Sequence, residues 1–193
     1  MQVISNLTNE EFCVRFRNWF DKQVLLFGWK GKSGAPGSFW HRNYVLERTF
    51  KNDYESVDSQ GEMTYQRFLS SQANPLVELA QKVSIEYFNG LPLTRLWANV
   101  QTFGDESALH RDYPEEYRGQ SKSLIWYPVN TWDPEWGGDI ALFDEKKEII
   151  ASSCIQRDRA ILFDGTTIHA ARPMSRYCNI PRIAIAFGRE VVE

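Results

Sequence analysis

The stretch Arg95-Leu96-Trp97-Ala98-Asn99-Val100-Gln101-Thr102-Phe103-Gly104-Asp105 decides how this chain is read. Its apolar, aromatic and β-branched residues end at a Gly-Asp turn signal, as a strand followed by a turn would. A two-residue period puts Asn99, Gln101 and Phe103 on one face and Ala98, Val100 and Thr102 on the other. From here to the C-terminus the same pattern recurs. Strands are expected over 95–103, 123–129, 140–143, 148–152, 160–163, 167–171 and 182–187. Between them stand Gly104-Asp105, Asp133-Pro134, Gly137-Gly138, Asp144-Glu145, Asp164-Gly165 and Asn179-Ile180-Pro181. Many short strands at this spacing indicate a sandwich or barrel.

Upstream the periodicity is helical. Thr8 and Glu11 are spaced as a capping box, and Phe12, Phe16, Trp19 and Phe20 follow at helical intervals, a packing stripe for a helix docked on a sheet. Asn74-Pro75 opens a second helix, with Asn74 as N-cap and Pro75 at the first helical position. Leu76, Leu79, Ala80, Val83 and Tyr87 form its apolar face, and Asn89-Gly90 ends it. Residues 28–37 read as a Gly/Lys/Ser-rich loop, and 53–62 as a polar segment expected to be mobile. Phe39-Trp40-His41-Arg42-Asn43-Tyr44 has two readings, a substrate-facing loop or an aromatic cluster sealing the core edge. Helices that precede the strands, rather than alternating with them, argue against a parallel α/β fold. The expected class is therefore α+β, mainly β with N-terminal helices. One domain is expected over 1–193, with 1–94 as helical support and loops and 95–193 as the β core.

Composition excludes several functions. A net charge of -3 gives no basic surface for the phosphate backbone, so no nucleic-acid partner is expected. No apolar run has the length to cross a membrane, and Met1-Gln2-Val3-Ile4-Ser5-Asn6 lacks the basic and hydrophobic regions of a leader. The expected compartment is the cytoplasm. Cys13, Cys154 and Cys178 are odd in number and far apart, which fits neither a disulfide framework nor a zinc knot.

The chemistry begins at Ala108-Leu109-His110-Arg111-Asp112-Tyr113. On a strand, a His and an Asp two residues apart project from one face and can grip a single divalent cation. A third ligand from elsewhere would complete a 2-His-1-carboxylate facial triad with open positions. By itself HxD is a pattern that chance supplies. Here it is followed by Trp132-Asp133-Pro134-Glu135-Trp136-Gly137-Gly138-Asp139, then by Ala160-Ile161-Leu162-Phe163-Asp164-Gly165 leading to His169, then by Pro181-Arg182. In that order the motifs resemble the iron(II)- and 2-oxoglutarate-dependent dioxygenases, particularly the branch containing the prolyl hydroxylases. The resemblance covers about the last hundred residues.

It implies a double-stranded β-helix (jelly roll) core, with His110, Asp112 and His169 as metal ligands. Zinc accepts the same ligand types, but the open triad and the resemblance favour Fe(II), with 2-oxoglutarate as cosubstrate and O2 as oxidant. Arg182 stands where the family places the residue that clamps the distal carboxylate of 2-oxoglutarate, a task suited to a planar guanidinium fork. Arg182, Ala184 and Ala186 share one strand face, small enough to leave room for a cosubstrate, and Ile183, Ile185 and Phe187 share the other. Asn99 and Gln101 are candidates for cosubstrate contact, with solvent exposure as the competing reading. Either Trp126 or Tyr127 could line the pocket, and only Tyr127 brings a phenolic hydrogen bond. Trp126, Tyr113, His41 and Arg172 are candidates for substrate contact. Arg111, Arg118, Lys122, Arg172 and Arg176 could attract an anionic group or form a solvated rim.

The implied reaction is oxidation of an unactivated C–H bond with release of succinate and CO2. Halogenating relatives carry a small residue at the position of Asp112, so its presence favours hydroxylation. The expected substrate is a small amino-acid-like molecule or a short peptide. The alternatives are a prolyl hydroxylase acting on a protein, or a noncatalytic β-helix binding module.

Overall fold

A computed structural model describes residues 1–29, 38–46, 63–71, 74–105 and 107–190. In chain order it contains β1 (Gln2–Ile4), α1 (Glu10–Phe20), β2 (Leu26–Trp29), β3 (Phe39–Leu46), α2 (Tyr65–Leu69), α3 (Pro75–Tyr87), β4 (Arg95–Gln101), β5 (Ser121–Tyr127), β6 (Ile140–Phe143), β7 (Ile149–Ser153), β8 (Arg159–Asp164), β9 (Ile168–Ala171) and β10 (Arg182–Glu190). Seven strands form one antiparallel sheet in the order β1-β8-β5-β10-β4-β3-β2, and three form a second in the order β7-β6-β9. The two sheets face each other as the walls of a jelly roll.

The alternation read in β10 explains the layering. Ile183, Ile185 and Phe187 pack with Leu96, Ala98, Leu124 and Trp126 against the helices, in a cluster that includes Phe12, Phe16, Leu76, Leu79 and Val83. Ala184 and Ala186 face the other way, into a cluster with Ile125, Tyr127, Ile161 and Phe163 of the large sheet and Ile140 and Leu142 of the small one. The large sheet is thus buried on both faces. Its central strands β4, β5 and β10 bury nearly every side chain, as the run Ile183–Phe187 shows.

Trp126 belongs to the helix side. Its ring meets Phe16 edge-on at 4.8 Å between centroids, and its Nε1 donates to Asp158 Oδ1 at 2.7 Å. That buried carboxylate also accepts from the Thr8 main-chain N–H at 2.8 Å and from Thr8 Oγ1 at 2.9 Å. Asp158 therefore ties the N-terminal segment to the sheet. The helix start differs from expectation for the same reason. Asn9 is the N-cap of α1, its side chain accepting from Phe12 N–H at 2.8 Å, because the Thr8 hydroxyl is already engaged by Asp158. Asn74 caps α3 as expected, accepting from the N–H groups of Leu76 and Val77.

The region before residue 95 supplies strands as well as helices. β1 pairs with β8 and β2 with β3, while β3 lies along β4, with His41 opposite Asn99 and Trp40 opposite Val100. Phe39–Tyr44, read as a loop or an edge cluster, is thus strand. Its six side chains mix aromatic, basic and amide groups without apolar/polar alternation, and only the free edge of β4 makes the segment extended. The short helix α2 also had no sequence signal. The segment 53–62 and most of the loop 28–37 lie outside the described residues. No helix among the described residues is long and apolar enough to cross a membrane.

Two predictions follow from packing. A Cβ on Gly165 would sit 2.4 Å from Tyr113 Cδ2, and Tyr113 is almost fully buried. Gly165→Ala should therefore cost about 1–3 kcal/mol, read as a melting temperature lowered by roughly 2–10 °C; an unchanged melting temperature would contradict this contact. Burial pushes the Cys13 thiol up to about 11, whereas Cys154 is exposed. At pH 8 the folded protein should show one fast-reacting thiol, removed by Cys154→Ser, with the Cys13 thiol reacting only on unfolding.

Candidate metal centre

His110 and Asp112 lie in the long connection from β4 to β5 rather than on a full strand. Backbone bonds bring them to the other half of the motif. His110 N–H donates to His169 O at 3.1 Å, and His169 N–H donates to His110 O at 2.9 Å, an isolated antiparallel bridge. Just beyond, the N–H groups of Asp112 and Tyr113 both donate to Gly165 O at 3.0 Å. The strand expected around the HxD motif is thus reduced to one bridge, because Gly165 leaves the turn after β8 to hold the next two residues.

The side chains converge. His110 Nε2 lies 3.9 Å from Asp112 Oδ1, and His169 Nε2 lies 3.7 Å from Asp112 Oδ2. One ligand atom from each of the three can be chosen so that all lie within 4.8 Å of one another. Bonds of about 2.1 Å would let one cation bridge such a set after a small contraction. Each imidazole pairs its Nδ1 with a main-chain carbonyl, Ala108 O for His110 and Thr167 O for His169, both at 2.9 Å. Those carbonyls can only accept, so Nδ1 carries a proton and Nε2 is the nitrogen turned to the centre. Burial, reinforced by the nearby His169, pushes the His110 imidazole down to about 4. Burial by itself would raise the Asp112 carboxyl. His169, Arg95 and His110, with the Ser123 hydroxyl donating, hold it below the ordinary range instead. At neutral pH these two groups therefore stand in the deprotonated forms that a metal requires.

The triad lines a cavity together with Arg95, Trp97, Asn99, Gln101, Arg182 and Ala184. Arg182 is 3% exposed. Its Nε donates to Gly138 O at 3.0 Å, Nη1 to Gln101 Oε1 at 2.5 Å and Nη2 to the Tyr127 hydroxyl at 3.2 Å. All three acceptors are neutral, and no carboxylate lies within ion-pairing distance of Arg182 among the described residues. A guanidinium has five N–H groups, so two remain for a ligand. A buried cation without an anionic partner is costly, and a carboxylate ligand would relieve that cost. Burial raises the Tyr127 phenol, against the pull of Arg182. Tyr127 thus keeps a proton to donate while accepting from Arg182. These residues fit a bound 2-oxo dicarboxylate beside a metal.

The remaining candidates divide. Asn99 lines the cavity, and its Oδ1 is buried without a hydrogen-bond partner among the described residues. Trp126, considered for substrate contact, faces the helices on the far side of the sheet, because Ile125 and Tyr127 take the inward positions. Tyr113 is buried beside Gly165 and Gly188, with its hydroxyl 3.1 Å from Thr94 Oγ1, so it supports the site from below and does not line the cavity. His41 is 2% exposed and packs against Trp29, at 5.0 Å between rings. Arg172 is exposed and outside the cavity, its main-chain N–H held by Asp139 O at 2.8 Å. Arg111 and Arg118 are paired with Glu115 and Glu145, so this part of the rim is internally neutralised.

Sequence reasoning passed over Arg95, Trp97 and Ser123. Arg95 and Trp97 were legible in principle, since they share the β4 face of Asn99 and Gln101. Ser123 had no signal, because only the fold brings its hydroxyl 2.6 Å from Asp112 Oδ2.

Residues 96–187 match the model of the 2OG-Fe(II) oxygenase superfamily. No curated protein matches the chain in sequence. Among solved structures, it is similar to a prolyl-4-hydroxylase from Pseudomonas putida, with a TM-score of 0.59 and 13% identity over 99% of this chain and 92% of that one. It is also similar to an oxidoreductase of the 2OG-Fe(II) oxygenase family from Burkholderia pseudomallei, with a TM-score of 0.63 and 11% identity over 96% and 83% of the two chains. A prolyl hydroxylase from Trichoplax adhaerens, solved with a hypoxia inducible factor oxygen degradation domain peptide fragment, gives 0.58 and 15% over 98% and 82%. At these identities the structural likeness speaks for the fold, and the family match adds the motifs. The superfamily consists of oxidoreductases that use Fe(II), 2-oxoglutarate and O2. With the jelly-roll fold and the His-Asp-His cluster it contains, the matched region of the chain, residues 96–187, is a 2OG-Fe(II) oxygenase superfamily domain.

Proposed function

We propose that this oxygenase hydroxylates an unactivated C–H bond of a small amino-acid-like or short peptidyl substrate, with release of succinate and CO2. On this reading residues 1–193 act as one domain, and His110, Asp112 and His169 hold Fe(II) through one face. Arg182 grips the distal carboxylate of 2-oxoglutarate with its two spare N–H groups, while Gln101 and Tyr127 keep the fork in one orientation. Asn99 offers a polar edge to whatever occupies the centre of the cavity. O2 is the oxidant, one of its atoms entering the substrate and the other succinate, and bound Fe(II) with 2-oxoglutarate would supply the chemistry that activates it. The protein's own part is to position and to exclude water: Trp97, Ile125 and Ile140 wall the cavity, and burial and neighbouring charge keep His110 and Asp112 deprotonated. Three free thiols fit a reducing compartment such as the cytoplasm.

The observation that carries the reading is the buried Arg182, without an anionic partner among the described residues, in the same cavity as His110, Asp112 and His169. A small-substrate reading is favoured by the confined cavity and by the internally paired rim charges. Prolyl hydroxylation of a protein is the second reading, supported by the prolyl hydroxylases among the structural neighbours.

Anaerobic addition of Fe(II) and 2-oxoglutarate should produce a visible metal-to-ligand charge-transfer band. His110→Ala or His169→Ala should abolish it. Arg182→Ala should weaken 2-oxoglutarate binding at least roughly 30-fold, since losing one partner of a buried charge pair costs ~2 kcal/mol or more. A band indifferent to all three substitutions would remove the site assignment. Succinate release should then be stimulated by some free amino acids or short peptides; stimulation only by a folded protein would favour the second reading, and none at all a noncatalytic module.

A further inference from the structure

Asp112 is held at more points than a metal ligand needs. Its main-chain N–H is fixed by Gly165 O, and its main-chain carbonyl accepts from Arg95 Nη1. Its Oδ2 accepts from Ser123 Oγ at 2.6 Å, while Arg95 Nη1 stands 3.9 Å from Oδ1. Arg95 is itself immobilised. Its guanidinium lies 4.5 Å from the Trp97 ring centre and 5.3 Å from that of Tyr113, and the residue is 8% exposed. A stacked, buried guanidinium retains its charge and its direction.

We propose that Arg95 and Ser123 are positioning residues that make Asp112 a one-oxygen metal ligand. The proposal rests on the reading of His110, Asp112 and His169 as the metal site. Ser123 occupies Oδ2 with a short hydrogen bond, so Oδ1 is the oxygen left for the cation. Arg95 fixes the backbone from which the carboxylate projects and balances its charge from 3.9 Å. A carboxylate pinned in this way cannot swing to a two-oxygen mode that would consume one of the open positions of a facial triad. Groups that orient metal ligands commonly contribute as much as 10–100-fold to metal affinity.

The test uses the full chain and Fe(II) under anaerobic conditions, with three readouts: the Fe(II) dissociation constant, the position of the charge-transfer band with 2-oxoglutarate, and the melting temperature of the metal-free protein. Arg95→Met should raise the dissociation constant roughly 10–100-fold and shift the band. Arg95→Lys, which keeps the charge and one donor but loses the planar stack, should recover part of both. Ser123→Ala should shift the band with little change in melting temperature, and it carries the test if Arg95→Met does not fold. The proposal is overturned if Arg95→Lys and Ser123→Ala keep the parent affinity and band while His110→Ala abolishes Fe(II) binding. It is equally overturned if Arg95→Met lowers only the melting temperature. Undiminished Fe(II) binding by His110→Ala would instead remove the metal site, and this proposal with it.

Discussion

Two reciprocal hydrogen bonds between the backbones of His110 and His169 hold the functional part of this protein together. They join the connection after β4 to the strand β9, segments remote in sequence, and they set the spacing of two imidazoles whose ring centres lie 4.3 Å apart. With that bridge in place, each Nδ1 reaches the carbonyl two residues back, and both Nε2 atoms turn to one point. Asp112 follows, because Gly165 captures the next N–H groups along the chain. Without the bridge His110 and Asp112 would lie on a connection detached from the strand that carries His169. The jelly roll is what makes the bridge possible, since it lays the small sheet across the inner face of the large one.

The rest of the fold can be understood as insulation for buried charge. Arg182, Asp112 and Arg95 all lie below one-tenth exposure, and charge is expensive there unless hydrogen bonds and counter-charges surround it. Asp112 has donors about it and Arg95 aromatic faces, whereas Arg182 has only neutral acceptors and its charge is left for a ligand to balance. The aromatic stripe of α1 does the corresponding work on the other side of the sheet, where Phe12, Phe16 and Trp126 interlock. A sheet packed on both faces has little freedom to flex, so the inward side chains of β4, β5 and β10 keep their relative positions.

The cavity itself owes its room to small residues. Ala171, Ala184 and Ala186 line it where larger side chains would fill it, while Trp97 and Phe39 supply apolar wall. Gly165 and Gly188 have a different use. A Cβ at either would strike Tyr113, at 2.4 and 2.6 Å, so both leave space for the ring that lies beneath Asp112.

Much of this was legible in the chain alone. The alternation of Arg182, Ala184 and Ala186 against Ile183, Ile185 and Phe187 identified a two-faced strand and its cavity side, because a pleated backbone leaves side chains no other arrangement. The helices of the first half were visible in their caps and stripes, and the ordered motifs named the family. Tertiary structure decided what depends on neighbours distant in sequence. β3 is a strand only because β4 offers it an edge. Trp126 turns to the helices because Asp158 and Phe16 are there to receive it, and this gives Tyr127 to Arg182. Asn9 rather than Thr8 caps α1 because Asp158 claims the Thr8 hydroxyl. Ser123 and Arg95 meet at Asp112 only once β4, β5 and the connection between them have folded together. Periodicity follows from local backbone geometry and can be read along one dimension; the partner of a polar group is chosen in three.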